Sequence, residues 1–229
     1  MNRFAVLLLT LTAALPAWAV SDALPLQPGS HRYHFQWDGQ LAGDAVRTLS
    51  CEARQCRLHT EASVPGMATL QETSHFSWQH HDVVFGDYER TLQLLFFPQV
   101  VKLSRGPGDT IIAERKGKTR TYPASPGLLD ALSLEAQLRA DLIADGKPRA
   151  QYLMADAKGT TVVQLEELPR ETLMVGERPL ETRVFRRRNA EGSRITTLWL
   201  DPAQQFLPIR ITHQDGSETY RLNWLARAD

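Results

Sequence analysis

The chain has 229 residues with 26 basic and 26 acidic side chains, so its formal net charge is zero. A neutral chain lacks the electrostatic attraction on which nucleic-acid binding depends, and we expect no nucleic-acid partner. The length suffices for one substantial core and no Ser/Gly/Pro-rich linker interrupts the chain, so we expect a single domain over residues 20–229.

The N-terminal segment has the form of a secretory signal peptide. Asn2 and Arg3 precede an apolar run over residues 4–15, and Ala17-Trp18-Ala19 supplies an Ala-x-Ala site. We expect residues 1–19 to be cleaved between Ala19 and Val20, which would leave a periplasmic protein; the alternative is an uncleaved anchor. No later stretch approaches the length of a membrane span, so we expect no transmembrane segment after cleavage.

The two cysteines, Cys51 and Cys56, lie between strand-like runs. In an oxidising compartment we expect them to form a disulfide that staples a hairpin. The redox-active alternative is typical of C-x-x-C at the start of a helix, whereas four residues separate these thiols.

Short segments with alternating apolar and polar residues recur along the chain. Examples are residues 31–38, 58–64, 207–213 and 220–224, the last two separated by an Asp215-Gly216 turn. A period of two is typical of strands that bury one face, and an Asp-Gly pair suits a tight hairpin. Regular spacing of such strands predicts a mainly β fold, an antiparallel curled sheet or barrel-like fold.

One segment has a helical period instead, with leucines at steps of three and four over residues 126–144. Ser125 can cap a helix there, Pro126 suits its first turn and Gly146 can end it. We predict one amphipathic α-helix (about 126–144) that lies on the curled sheet or plugs it.

Two polar clusters are candidate sites. Arginines at positions 183, 186, 187 and 188 indicate a solvated hairpin end, with an anion-binding patch as the alternative. The segment from His75 through His80 and His81 to Asp82 resembles a polar turn more than a metal site, because adjacent residues on a strand point to opposite faces. No Gly-x-Ser-x-Gly elbow or phosphate loop is present. We predict no catalytic residues, no metal and no cofactor; a metal-dependent or hydrolytic enzyme around residues 75–82 is the least favoured alternative.

Aromatic residues form two groups, one near each end of the mature chain. If the first and last strands meet in a curled sheet, both groups line one interior. Alternating aromatic residues usually fill a core, and a ligand cavity would differ only in leaving volume unfilled. The candidate cavity residues are Tyr33, Phe35, Trp37, Trp199, Tyr220 and Trp224.

Several motifs resemble the exported bacterial domain of unknown function called DUF3108. They are Leu129-Asp130-Ala131-Leu132-Ser133, Val175-Gly176-Glu177, Leu198-Trp199-Leu200-Asp201-Pro202 and the opening residues 33–43. The resemblance covers nearly the whole mature chain. It implies a mainly β, barrel-like periplasmic protein, distantly like the curled sheets of lipoprotein carriers, and it brings no catalytic residues.

These observations favour a non-catalytic periplasmic protein that binds a hydrophobic or lipid-like small molecule. The alternative is a cell-envelope interaction module, which would dock another envelope protein through a strand edge or the helix face.

Overall fold

The structure is a computed structural model that describes residues 23–39, 41–94, 97–188 and 192–228. The predicted signal peptide and its cleavage site lie outside these ranges. The first eight strands are β1 (Gly29–Trp37), β2 (Leu41–Glu52), β3 (Gln55–Val64), β4 (Ala68–Gln79), β5 (Asp82–Leu94), β6 (Phe97–Gly106), β7 (Thr110–Arg115) and β8 (Lys118–Pro123).

The short strand β9 (Leu128–Leu129) leads into the helix α1 (Ala131–Asp145). The remaining strands are β10 (Tyr152–Asp156), β11 (Gly159–Val163), β12 (Glu166–Val175), β13 (Arg178–Arg188), β14 (Arg194–Asp201), β15 (Leu207–Asp215) and β16 (Glu218–Ala228). A short 3-10 helix (Pro202–Gln204) connects β14 to β15.

Thirteen strands form one antiparallel sheet in the order β12-β13-β14-β15-β16-β1-β2-β3-β4-β5-β6-β7-β8. Neighbours in the sheet are neighbours in the chain, except that the last described strand, β16, pairs with the first, β1. The edge strands β8 and β12 do not pair with each other, so the sheet is curled but not closed. The predicted mainly β, curled antiparallel fold is confirmed.

Bulges help the sheet to curl, because an extra residue in one strand bends it and increases its twist. One bulge lies where β4 pairs with β5, between His75 and Phe76. Gly86 lies opposite, and a Cβ atom there would be 2.7 Å from the carbonyl oxygen of His75. Only glycine allows the two backbones to approach this closely.

A second, three-stranded sheet has the order β11-β10-β9, in which β9 runs parallel to β10. This small sheet explains why the helix starts later than the leucine period predicts. Leu128 and Leu129 pair with Leu153 and Met154 of β10 instead of continuing the helix.

Helix α1 is capped by Asp130 rather than by Ser125, so the predicted start of the helix is wrong. The Asp130 carboxylate accepts the N–H groups of Leu132 and Ser133, and the Ser133 hydroxyl accepts the N–H of Asp130. Ser74 on β4 also donates to this carboxylate, at 2.6 Å, and ties the helix start to the sheet. The predicted end is confirmed, since Gly146 adopts a left-handed conformation with a φ of 68°.

The helix is buried on all sides over residues 132–142. Leu132, Leu134 and Ala136 pack in a cluster with β3–β7 and β10, whereas Leu138 and Leu142 pack in a second cluster with β1, β2 and β13–β16. The helix therefore plugs the curled sheet, and its polar side chains are buried along with the leucines. No helix in the described part of the chain is long and apolar enough to span a membrane.

Cys51 and Cys56 face each other across the β2–β3 hairpin and form a disulfide with an S–S distance of 2.06 Å. The predicted staple is confirmed.

The arginine cluster lies in β13, which pairs on one side with β12 and on the other with β14. Arg183 and Arg186 form ion pairs with Glu167 and Glu166 of β12, and the Arg183 side chain is only 13% exposed. Arg187 donates to the Met154 sulfur. The expected solvated hairpin end is therefore wrong for Arg183 and Arg187, because the curled sheet places another strand and the small sheet against them, whereas the Arg186–Glu166 pair is exposed.

Candidate ligand sites around the buried helix

The first and last strands, β1 and β16, lie side by side in the structure. This is the arrangement in which both aromatic groups can line one interior. Tyr33 lies opposite Trp224 and Trp37 lies opposite Tyr220 in the β1–β16 pair. Tyr33 and Phe35 are core residues with at most 3% exposure. Trp37, Tyr220 and Trp224 are half-buried and pack against the same cluster.

This aromatic cluster is packed. The Phe35 ring lies 6.5 Å from the ring of Trp37 and 6.2 Å from that of Tyr220, centroid to centroid. Leu138 and Leu142 of α1 fill the space beside them. Contacts at these distances are those of a hydrophobic core.

Trp199 is not part of this aromatic cluster. Together with Trp224 it packs against a third, small cluster of Leu173, Leu207 and Ile209. Its indole N–H donates to the Glu171 carboxylate at 2.9 Å. Tyr33 lines a small cavity described below, and none of the six lines the larger one. Their role as ligand residues remains a prediction.

The larger cavity has a volume of about 390 Å³ and lies between the β4–β5 hairpin, the start of the helix and β10. Small-molecule sites in proteins have volumes of about 300–1,000 Å³, so the cavity is of adequate size. Part of its wall is apolar and part is polar. The lining residues are Gln79, Asp82, Val83, Val84, Pro126, Gly127, Leu129, Gln137, Arg149, Gln151, Tyr152 and Leu153.

The polar wall is organised around the buried Asp141 carboxylate. It accepts hydrogen bonds from Arg149 Nε at 3.0 Å, from the Tyr152 hydroxyl at 2.9 Å and from Gln137 Nε2 at 2.8 Å. Arg149 also pairs with Asp82. Burial lowers the pKa of Arg149, but its bonds to these two carboxylates outweigh that and raise it. The guanidinium is therefore charged and held in place.

Gln137 connects this wall to the β4–β5 turn. Its amide donates to the His81 carbonyl at 3.0 Å, and its Oε1 accepts the N–H of Val83 at 2.6 Å. A buried helical side chain thereby holds the hairpin at the mouth of the cavity.

Burial raises the pKa of Tyr152, so its hydroxyl is protonated at neutral pH.

The histidine segment is a turn, as predicted. His80 and His81 form the exposed two-residue turn between β4 and β5. His75 lies on β4, where its Nδ1 is 2.8 Å from Asp87 on β5. Within residues 23–39, 41–94, 97–188 and 192–228, no three or more His, Cys, Asp or Glu side chains converge as a metal site would require.

Sequence reasoning missed Gln137, Asp141, Arg149 and Tyr152. One signal was available, since Gln137 and Asp141 are four residues apart and so lie on the same side of a helix. Their partners Arg149 and Tyr152 follow the helix in an irregular segment and in β10, where no periodicity marks them.

The larger cavity combines an apolar wall with polar groups that hydrogen bonds hold in place. Its arginine, Arg149, is paired with two carboxylates. An apolar wall beside fixed amide, hydroxyl and guanidinium groups suits a molecule with an apolar body and a polar end.

A comparison with models of protein families found no match, and neither did a comparison with curated proteins. The resemblance to DUF3108 therefore remains a prediction.

Proposed function

We propose that this is a non-catalytic periplasmic protein that binds a small hydrophobic or lipid-like molecule. The observation that supports this function is the cavity of about 390 Å³ with its apolar wall of Val83, Val84, Leu129 and Leu153. Burial of apolar ligand surface against such a wall contributes roughly 25 cal/mol per Å².

The mode of binding follows from the rigidity of the polar wall. Asp141 holds Arg149, Tyr152 and Gln137 through direct hydrogen bonds, so these groups lose little conformational entropy when a ligand arrives. Preorganised polar groups orient a ligand at low cost, whereas the apolar wall supplies most of the affinity.

The sheet edges make a docking module the weaker candidate. The edge strand β12 contains Pro169 and a register shift between Leu168 and Glu171. The other edge, β8, is exposed and carries Lys118 and Arg120. Prolines, bulges and lysines on edge strands oppose pairing with another chain.

The test is binding of the neutral apolar dye N-phenyl-1-naphthylamine to protein purified from cells that express the full chain. We expect saturable enhancement of dye fluorescence. Val84→Trp would fill the cavity from its lining and weaken dye binding at least tenfold. Val46→Trp is the matched control, because Val46 is 38% exposed on β2 and does not line the cavity.

Absence of saturable dye binding by the wild-type protein would overturn the proposal, and so would equal binding by Val84→Trp. Native and denaturing mass spectra of protein from a periplasmic extract complement the dye. An adduct that is lost on denaturation would identify the class of the bound molecule.

A further inference from the structure

A second, smaller cavity lies on the other side of the helix. It has a volume of about 20 Å³ and is lined by His31, Tyr33, Arg47, Glu135 and Arg139, among others. A space of about 10–15 Å³ accommodates one water molecule. This pocket therefore has room for a single particle of about that size.

Two of the charged residues in the pocket neutralise each other. Arg47 is 5% exposed and donates two hydrogen bonds to Glu135, from Nη1 at 3.1 Å and from Nη2 at 2.9 Å. Its Nε donates to the Thr60 hydroxyl at 3.1 Å. Both carboxylate oxygens of Glu135 are thus used by Arg47.

Arg139 forms no ion pair of this kind with any residue that the structure describes. It is 7% exposed, and its Nε donates to the Gln205 carbonyl at 3.1 Å. Among the described residues, no hydrogen bond or ion pair reaches its two Nη groups. Desolvation of a charge requires compensation by pairing, and the carboxylate that attracts Arg139, that of Glu135, is shared with Arg47.

The other titratable groups of the pocket do not supply the missing negative charge. Burial raises the pKa of Tyr33 to about 12, and its hydroxyl donates to the Pro208 carbonyl. Burial, together with the charges of Arg139, Arg227 and Arg47, lowers the pKa of His31 to about 4. At neutral pH both side chains are uncharged, so the two arginines and one glutamate leave one excess positive charge in the pocket.

We propose that this pocket binds one small monovalent anion of halide size, held by the unpaired Nη groups of Arg139. A single negative charge completes the charge balance, and the volume admits one such ion. Donors that are preorganised around a buried space bind an anion without rearrangement. This site is independent of the larger cavity and of the proposed apolar ligand.

The first test compares thermal unfolding in potassium chloride and potassium gluconate at equal ionic strength, because gluconate is too large for the pocket. For the wild-type protein we expect the Tm in a chloride concentration that nearly saturates the pocket to be about 3 °C higher than the Tm in gluconate. Arg139→Gln should abolish this difference. Arg32→Gln is the matched control, because Arg32 lies on β1 like His31 but is exposed.

A second measurement needs no variant. Crystals of the wild-type protein soaked in bromide should show an anomalous peak beside Arg139. A pocket that contains only a water molecule would overturn the proposal. Equal Tm values of the wild-type protein in the two salts, or a chloride effect that Arg139→Gln retains, would overturn it as well.

Discussion

The two sides of the buried helix show two ways of burying polar side chains. Glu135 and Arg139 lie one turn apart on one side, and Gln137 and Asp141 lie one turn apart on the other. On the Asp141 side, the carboxylate is matched by Arg149, Tyr152 and Gln137. On the Glu135 side, Arg47 uses both carboxylate oxygens and Arg139 is left over.

The difference shows how a fully enclosed helix restricts its own sequence. Each buried polar group needs a partner from a strand or loop that the helix contacts. On the Asp141 side the polar groups are paired, and their hydrogen bonds hold the helix in place beside the larger cavity. On the Glu135 side Arg139 has no carboxylate of its own among the described residues, and this is the proposed anion site.

The largest expected effect is on the Glu135 side. Glu135→Gln leaves Arg47 buried with a neutral partner and should lower the free energy of unfolding by about 3–5 kcal/mol. Arg139→Gln removes an unpaired charge, so in gluconate we expect it to be within about 1 kcal/mol of wild type. Urea unfolding measures the free energy of unfolding of both variants. The control is Glu61→Gln, at an exposed position of β3. A loss for Arg139→Gln as large as that for Glu135→Gln would contradict the difference between the two arginines.

Asp141→Asn tests the other side of the helix. It replaces a carboxylate that accepts from Arg149, Tyr152 and Gln137 with a neutral amide, and hydrogen bonds to charged groups contribute about 1.5–3 kcal/mol. We expect a loss of about 2–3 kcal/mol in urea unfolding, together with weaker dye binding because the polar wall loosens. Asp145→Asn, at the exposed end of α1, should leave both quantities unchanged. Unaltered dye binding by Asp141→Asn would show that the hydrogen bonds of Asp141 do not contribute to the affinity of the cavity for the dye.

Reduction of the Cys51–Cys56 disulfide should have a smaller effect. On the chain-entropy model, a bridge that closes so short a loop contributes about 2 kcal/mol, mainly by restricting the unfolded state. Urea unfolding with and without reductant measures this loss, and Cys51→Ser/Cys56→Ser should match the reduced protein. A reduced protein as stable as the oxidised one would show that the β2–β3 hairpin does not need its staple.

The smallest effect concerns pH. The pKa of His31 is lowered to about 4 in the folded protein, against 6.5 for an ordinary histidine. Between these values the unfolded state binds more protons, so His31 makes stability fall as the pH is lowered from about 6.5 to about 4. Partial exposure of the ring screens this contribution. His31→Gln should flatten this slope when urea unfolding is measured across that pH interval.

Some features of the site were predictable from local patterns and others were not. His80 and His81 were recognisable as a turn because polar residues interrupt two alternating strands. The partnership of Arg47 with Glu135 joins residues 88 positions apart, and nothing in the neighbouring sequence of either residue indicates the other. The same holds for Arg149, which pairs with Asp82 across 67 positions.

By itself, the sequence determined the mainly β class of the fold, the Cys51–Cys56 disulfide and the end of the helix at Gly146, because alternation, cysteine spacing and glycine conformation act over a few residues. Only the tertiary structure decided that the helix begins after Asp130, that its polar side chains are buried, and where space is left unfilled. Helix start and burial depend on Ser74, on β10 and on the curl of the sheet, which bring together residues that are distant in the chain. Cavities are differences between packed volumes, and those volumes are defined only when every element is in place.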